Sequence, residues 1–161
     1  MKQDRFLIGI LVFIGALVVA SVALFFVRGG KPEYGPEDTP GGVVNNYTVA
    51  LQLHDYQRAY GYLADNDGKP SYDTFQQAFV SRNLDPGNSA LQTEDVQMMS
   101  SGEAWVNISV QSGGSGPFDN GWSNADHATL VKQNDAWKIT YLPNPYWGYD
   151  WYQPTPTPVK Q

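Results

Sequence analysis

The stretch TPGGVVNNYTVALQLHDYQRAYGYL, residues 39–63, decides what kind of domain this chain forms. Apolar residues recur there at helical spacing in two separate stripes: Val44, Tyr47 and Leu51, and then Tyr56, Ala59, Tyr60 and Leu63. Asp55 stands between the stripes, where its carboxylate can accept hydrogen bonds from the first amides of a new helix. Thr39 as a cap and Pro40 at the first helical position start the upstream helix. The stretch therefore predicts two short amphipathic helices that need an apolar partner surface.

The folded part of the chain carries a strong negative charge. Between residues 41 and 152, five basic side chains stand against twelve acidic ones, a net charge of −7. Because such a surface repels phosphate backbones and no run of Lys or Arg interrupts it, we expect no nucleic-acid partner. The 161-residue chain contains no cysteine. Disulfides, thiolate metal sites and cysteine nucleophiles are therefore excluded.

Residues 6–27, FLIGILVFIGALVVASVALFFV, contain no charge and no proline. A helix of this length reaches about 33 Å, which is enough to cross the hydrocarbon core of a bilayer. We predict a retained transmembrane helix with the lipid bilayer as its partner. The alternative is a cleaved signal peptide, for which Ser21-Val22-Ala23 is a passable cleavage site. Because only the short tail 1–5 precedes the span, we expect a cytoplasmic N-terminus and a domain outside the cytoplasm.

The segments on either side of the predicted domain have the composition of unfolded chain. Residues 28–38, RGGKPEYGPED, combine two prolines and three glycines with alternating charge, which predicts a flexible linker. Residues 153–161 repeat Pro and Thr, which predicts a disordered tail. The domain itself is therefore expected over residues 39–152.

The rest of the domain changes from helical to strand periodicity. A third helix is predicted over residues 71–82, with Ser71 as its cap. Alternating apolar residues then predict strands over 91–99 and 103–111. After a long glycine-rich connection, residues 112–124, two further strands over 126–133 and 136–142 form a hairpin across Asn134-Asp135. The order of elements predicts an α+β domain in which three short helices cover one face of a curved antiparallel sheet.

This chain resembles the nuclear-transport-factor-2-like superfamily of cone-shaped α+β domains, and most closely its small bacterial, membrane-tethered members of unknown function. The residues that carry the resemblance lie between about 39 and 142: Thr39-Pro40, His54-Asp55-Tyr56 with Arg58-Ala59-Tyr60, and Ala136-Trp137-Lys138-Ile139. The superfamily includes ketosteroid-isomerase-like enzymes, dehydratases and many non-catalytic binding or assembly domains, so the fold alone chooses no function. The resemblance also implies a possible homodimer through the sheet.

Two pairs of residues are candidates for chemistry of the isomerase kind. Such enzymes use an Asp base and a hydrogen-bond donor in an apolar cone, and Asp126 with His127 or Asp55 with His54 could supply these groups. The competing interpretation is that Asp55 caps a helix and Asp126 begins a strand. Two distant histidines do not predict a zinc site. Asp65-Asn66-Asp67-Gly68 has the wrong spacing for a calcium loop and predicts a turn. We therefore predict neither a metal nor a cofactor.

Aromatic residues near the C-terminus are the stronger candidates for a binding site. Hypothetical ligand-binding residues are Trp122, Tyr146, Trp147, Tyr149 and Trp151. Their rings could stack on a sugar or on an apolar ligand, with Asn120 and Asn144 as hydrogen-bonding groups. Alternatively, the rings fill the open end of the cone as ordinary core, or contact lipid headgroups.

The expected function follows from the anchor, the linker and the weak case for catalysis. We expect a single-pass membrane protein whose extracytoplasmic domain has a non-catalytic ligand-binding or protein-assembly role. The alternative is a ketosteroid-isomerase-like or dehydratase-like enzyme that uses an Asp and a His in the cone pocket.

Overall fold

Residues 3–28, 32–113 and 121–153 are described by a computed structural model. The chain divides into two compact units, Met1–Glu33 and Tyr34–Gln161. The predicted Pro/Thr tail lies outside the described residues apart from Gln153, and so does Asn120 of the glycine-rich connection.

The first unit contains a single described helix, α1 (Gln3–Arg28). Its segment Phe6–Leu24 is long and apolar enough to cross a membrane, and none of it is buried within the protein. By length and composition, a signal sequence near the N-terminus would have the same character.

The second unit begins with three helices whose predicted starts are confirmed. The helices are α2 (Pro40–Gln52), α3 (Tyr56–Gly61) and α4 (Tyr72–Val80). The side-chain oxygens of Thr39, Asp55 and Ser71 accept hydrogen bonds from amides of the first turns, as expected of helix caps. Between α2 and α3 the chain turns at His54, whose positive φ of 57° ends the first helix.

The sheet has four antiparallel strands in the order β1-β2-β3-β4. They are β1 (Ser89–Met98), β2 (Ala104–Ser112), β3 (Trp122–Gln133) and β4 (Ala136–Tyr141). The predicted hairpin between the last two is confirmed, with both Asn134 and Asp135 at positive φ. The prediction started β3 four residues too late, because Trp122 to Ala125 pair with β2 although they carry no clear apolar alternation.

The core lies between the helices and one face of the sheet. In β2 the buried residues Ala104, Val106, Ile108 and Val110 alternate with more exposed ones, as predicted. Val43, Val44 and Tyr47 of α2 belong to the same buried cluster. Leu63, which follows α3, forms an isolated parallel bridge with Ile139 of β4. The coarse prediction of helices packed on an antiparallel sheet is therefore correct.

Residues 34–37 are bound to the folded unit, and we call them the strap. The side chain of Asn46, which is fully buried, accepts a hydrogen bond from the Gly35 N–H at 2.7 Å and donates one to the Gly35 carbonyl at 3.0 Å. The Glu37 carboxylate accepts from Arg58 at 2.8 Å and from the Tyr62 hydroxyl at 2.7 Å. These two hydrogen bonds, the one from Tyr62 first, lower the pKa of Glu37.

The strap changes the boundary expected from the sequence. A flexible linker was expected over residues 28–38, whereas the second unit begins at Tyr34. The Arg58 guanidinium also lies 3.5 Å from the centre of the Tyr34 ring. The composition of the segment is that of a linker, but specific hydrogen bonds hold its second half in place.

Candidate functional site

The five aromatic residues proposed as a binding surface do not lie together. Tyr146, Trp147 and Trp151 are between 1% and 5% exposed, whereas Trp122 is 56% and Tyr149 is 90% exposed. Trp122 and Tyr149 line different clefts. The three buried rings pack into the core, which is the alternative that the sequence left open, and only Trp122 and Tyr149 offer a largely free ring face.

Hydrogen bonds and ring contacts fix the buried rings. The hydroxyl of Tyr47 donates to the Tyr146 carbonyl at 2.8 Å, and the hydroxyl of Tyr146 donates to the Ser89 carbonyl at 2.9 Å. Burial raises the pKa of Tyr146 to about 12 and that of Tyr47 well above its ordinary value. Both groups therefore stay neutral at physiological pH. Within the described residues, every buried side-chain nitrogen or oxygen has a partner.

The C-terminal aromatic segment does form one wall of a large surface cleft, which we call the α4 cleft. Its volume is about 760 Å³, and it lies between α4 and residues 144–151. Among the residues that line this cleft are Asp73, Gln77, Asn83, Asn144, Tyr149, Asp150 and Trp151. Tyr149, Trp151 and Asn144, which the sequence singled out, thus lie around one cleft. Polar residues of α4 and of the turn after it also line the cleft, and the sequence did not predict their role.

Gly148 allows this wall to form. A Cβ atom at Gly148 would lie 2.5 Å from the Trp151 indole, a distance that real side chains do not reach. On the core side, the centre of the Trp151 ring lies 5.4 Å from that of Phe75 and 5.3 Å from that of Trp147. The wall of the cleft is therefore set by packing within the core.

Asp55 caps α3, and His54 lies at the end of α2, where it lines a surface cleft. The Asp55 carboxylate accepts the Arg58 amide at 3.1 Å and also lies 3.5 Å from the Tyr34 hydroxyl. His54 ends α2, and its ring packs edge-on against Tyr56 at 6.0 Å. Both residues are exposed, so this pair does not lie in an interior cavity.

Asp126 and His127 lie on the sheet, in a shallow depression among residues of β1, β2 and β3. The Nδ1 atom of His127 is 3.4 Å from Oδ1 of Asp126. The imidazole stacks on the indole of Trp105, with ring centres 4.5 Å apart, and lies 5.7 Å from the Tyr141 ring. Burial, and then the negative charge of Asp126, raise the pKa of Tyr141. Sequence reasoning missed this grouping, although Trp105 and His127 each point away from the buried side of their strand.

The described residues contain no group of three or more His, Asp or Glu side chains that could hold a metal ion. At the predicted turn the Asp65 carboxylate pairs with Lys69 at 2.7 Å, and Asn66 accepts the Gly68 amide. The side chains of Asp65 and Asn66 thus have partners within or next to the turn that the sequence predicted.

Comparison with known proteins gives weak likenesses. No family model and no curated protein matches this chain. It is similar to the solution structure of a SEC-C motif containing protein from Rhodopseudomonas palustris, with 12% identity and a TM-score of 0.47, over 65% of this chain and 77% of that one. It is also similar to the crystal structure of an NTF-2 like protein of unknown function from Shewanella oneidensis MR-1, with 14% identity and a TM-score of 0.45, over 61% and 88% of the two chains. Both TM-scores are below 0.5, so membership of the nuclear-transport-factor-2-like superfamily stays a prediction.

Proposed function

We propose that this protein is anchored in a membrane by residues 6–27 and presents an extracytoplasmic, non-catalytic domain that binds a neutral polyhydroxylated ligand, such as a glycan, in the α4 cleft. The observation that carries the proposal is the composition of that cleft, in which aromatic rings meet side-chain amides. The exposed apolar helix Phe6–Leu24 supports the anchor.

The residues that line the α4 cleft can form hydrogen bonds with the hydroxyl groups of a ligand. Amides such as Asn83 and Asn144 both donate and accept hydrogen bonds, and the Asp73 carboxylate accepts them. The Tyr149 ring stands free at the cleft and can cover the C–H face of a sugar. The net negative charge of the domain disfavours anionic ligands such as nucleotides. A neutral ligand with hydroxyls on its edges and C–H groups on its faces fits these features.

The packing of the domain supports a non-catalytic role. An isomerase-like site requires an acid or base facing an enclosed apolar space. Here the space between helices and sheet holds the side chains of Tyr47, Phe75 and Tyr146, each at most 1% exposed. Asp126 and Asp55, the two candidate bases, lie elsewhere.

The enzyme is the alternative, since the imidazole of His127 and the carboxylate of Asp126 are neighbours, with Nδ1 3.4 Å from Oδ1. Turnover of a keto-steroid-like or dehydratable substrate by the full chain, abolished in Asp126→Asn, would establish it in place of the binding role.

Ligand binding in the α4 cleft is testable with the full chain in phosphatidylcholine nanodiscs prepared without sugar-based detergent. We expect chitotetraose or maltotetraose to change the intrinsic tryptophan fluorescence, because Trp151 lies in the wall of the cleft. Tyr149→Ala removes one stacking ring, so binding should weaken about three- to tenfold. Tyr149 is so exposed that the substitution should leave the fold intact.

Trp122→Ala is the matched control, since it removes an exposed ring that lines another cleft. It should leave the affinity unchanged. Equal losses in the two variants, or no response to either oligosaccharide, would contradict the assignment of the ligand to the α4 cleft.

A further inference from the structure

The face of the sheet opposite the core carries a feature that the α4 cleft does not explain. Trp105 and Asn107 alternate along β2 with fully buried residues, so their side chains point away from the core. Together with Glu94, Gln97, Asp126 and His127 they line a shallow depression of about 450 Å³, which we call the acidic depression.

The acidic depression combines negative charge with an aromatic surface. Glu94 and Asp126 supply two carboxylates, and neither Lys nor Arg lines the depression. Oδ1 of Asp126 accepts the backbone N–H of His127 at 2.8 Å, which leaves Oδ2 to face a ligand. The Trp105 indole is 38% exposed although the His127 ring stacks on it, so part of the ring system is open to a partner. Carboxylates beside an exposed indole are the groups that hold a guanidinium or ammonium ion, through charge-assisted hydrogen bonds and cation–π attraction.

We propose that the acidic depression docks an arginine or lysine side chain carried on a segment of a partner protein. The depression is shallow, and a small free amine would stay largely hydrated in it. A polypeptide would also cover the polar surface nearby, where Ser109 bonds to Ser123 and Gln111 to Gln92 between side chains of neighbouring strands. Arginine fits best, because its planar group can pair with a carboxylate and stack on the indole at once.

Charge argues against a second copy of this chain as the occupant. Two identical faces would bring one acidic depression towards the acidic surface of another copy, and the domain as a whole is negative. Like charges placed across an interface are costly, whereas a basic partner gains both in encounter rate and in specificity. Complementarity therefore favours a basic segment.

The test uses the full chain in phosphatidylcholine nanodiscs and a fluorescein-labelled decapeptide that alternates arginine and serine. We expect the peptide to bind with an affinity that falls as salt rises, and a glutamate–serine peptide not to bind. Glu94→Gln combined with Asp126→Asn should weaken binding at least tenfold. Glu94→Lys alone, at an exposed position, changes the charge of the depression by the same two units and should weaken binding to a similar extent.

A matched control separates a specific site from general attraction to an acidic protein. Asp67→Asn combined with Asp135→Asn also removes two negative charges, but from exposed positions outside the acidic depression. This double variant should leave the affinity within about twofold of the wild type. An equal loss in both double variants would overturn the proposal. So would a wild-type chain that self-associates through Trp105 and associates more tightly after neutralisation of Glu94 and Asp126, since that result identifies a second copy as the occupant.

Discussion

Replacing Trp151 with alanine is expected to lower the free energy of unfolding of the second unit by about 3–5 kcal/mol, the usual cost of deleting a buried aromatic ring. Trp151 is 5% exposed, and its ring lies within 5.4 Å of Phe75 and 6.2 Å of Phe79. The substitution leaves a cavity where α4 meets the C-terminal segment. Urea denaturation of the full chain in nanodiscs, followed by near-ultraviolet circular dichroism, measures this change.

The control for Trp151→Ala is Trp122→Ala. Trp122 is the same residue type, but more than half exposed, so its loss should cost well under about 1 kcal/mol. Equal costs for the two substitutions would show that residues 146–152 do not form part of the core. That outcome would also remove the wall of the α4 cleft.

Asn46→Ala is expected to have the second largest effect, about 2–4 kcal/mol. The substitution deletes two hydrogen bonds and leaves the part-buried N–H and carbonyl of Gly35 without their partner. The strap should detach as a result. Hydrogen exchange followed by mass spectrometry should then show the Gly35 amide, which donates to Asn46 in the wild type, exchanging much faster.

Two variants bracket the effect of Asn46→Ala. Asn45→Ala changes the exposed neighbour and should alter neither stability nor exchange. Asn46→Asp keeps the acceptor for the Gly35 amide but sets a buried carboxylate oxygen against the Gly35 carbonyl, so its cost should equal or exceed that of Asn46→Ala. Exchange of the Gly35 amide at the rate of a free peptide in the wild type would contradict the strap.

Features that depend on near neighbours in the chain were predictable. Thr39, Asp55 and Ser71 were identified as caps because a cap bonds to an amide two or three residues away. The alternation along β2 and the hairpin at Asn134-Asp135 are also local signals. The order of these elements was sufficient to predict an α+β domain with helices on an antiparallel sheet.

Features that depend on distant partners were not predictable. The strap has the prolines and glycines of a linker, and only the folded structure shows that Asn46, eleven residues away, binds the Gly35 peptide group. In the C-terminal segment the aromatic residues follow neither a helical nor a strand period. Their sequence therefore could not show that Trp151 packs inward while Tyr149 is exposed.

The candidate sites show the same limit. Sequence reasoning identified Tyr149 and Asn144 but not Asp73 or Asn83, which reach the α4 cleft from α4 and from the turn that follows it. It treated Asp126 and His127 as one chemical pair. Trp105 joins them only because β2 and β3 pair in a register that sets Asn107 opposite His127 and Trp105 opposite Thr129.

We propose that residues 6–27 hold the folded unit at the outer side of a membrane, and cysteine labelling tests this anchoring most directly because the chain has no cysteine. Ser101→Cys, at an exposed position of the second unit, is treated in intact cells with a membrane-impermeant maleimide, and membranes are then washed with alkaline carbonate. We expect full-length labelled protein in the washed membranes, whereas Lys2→Cys should be labelled only after permeabilisation. Labelling of Ser101→Cys only after lysis, or labelled protein released by carbonate or shortened by loss of the N-terminal helix, would contradict the account.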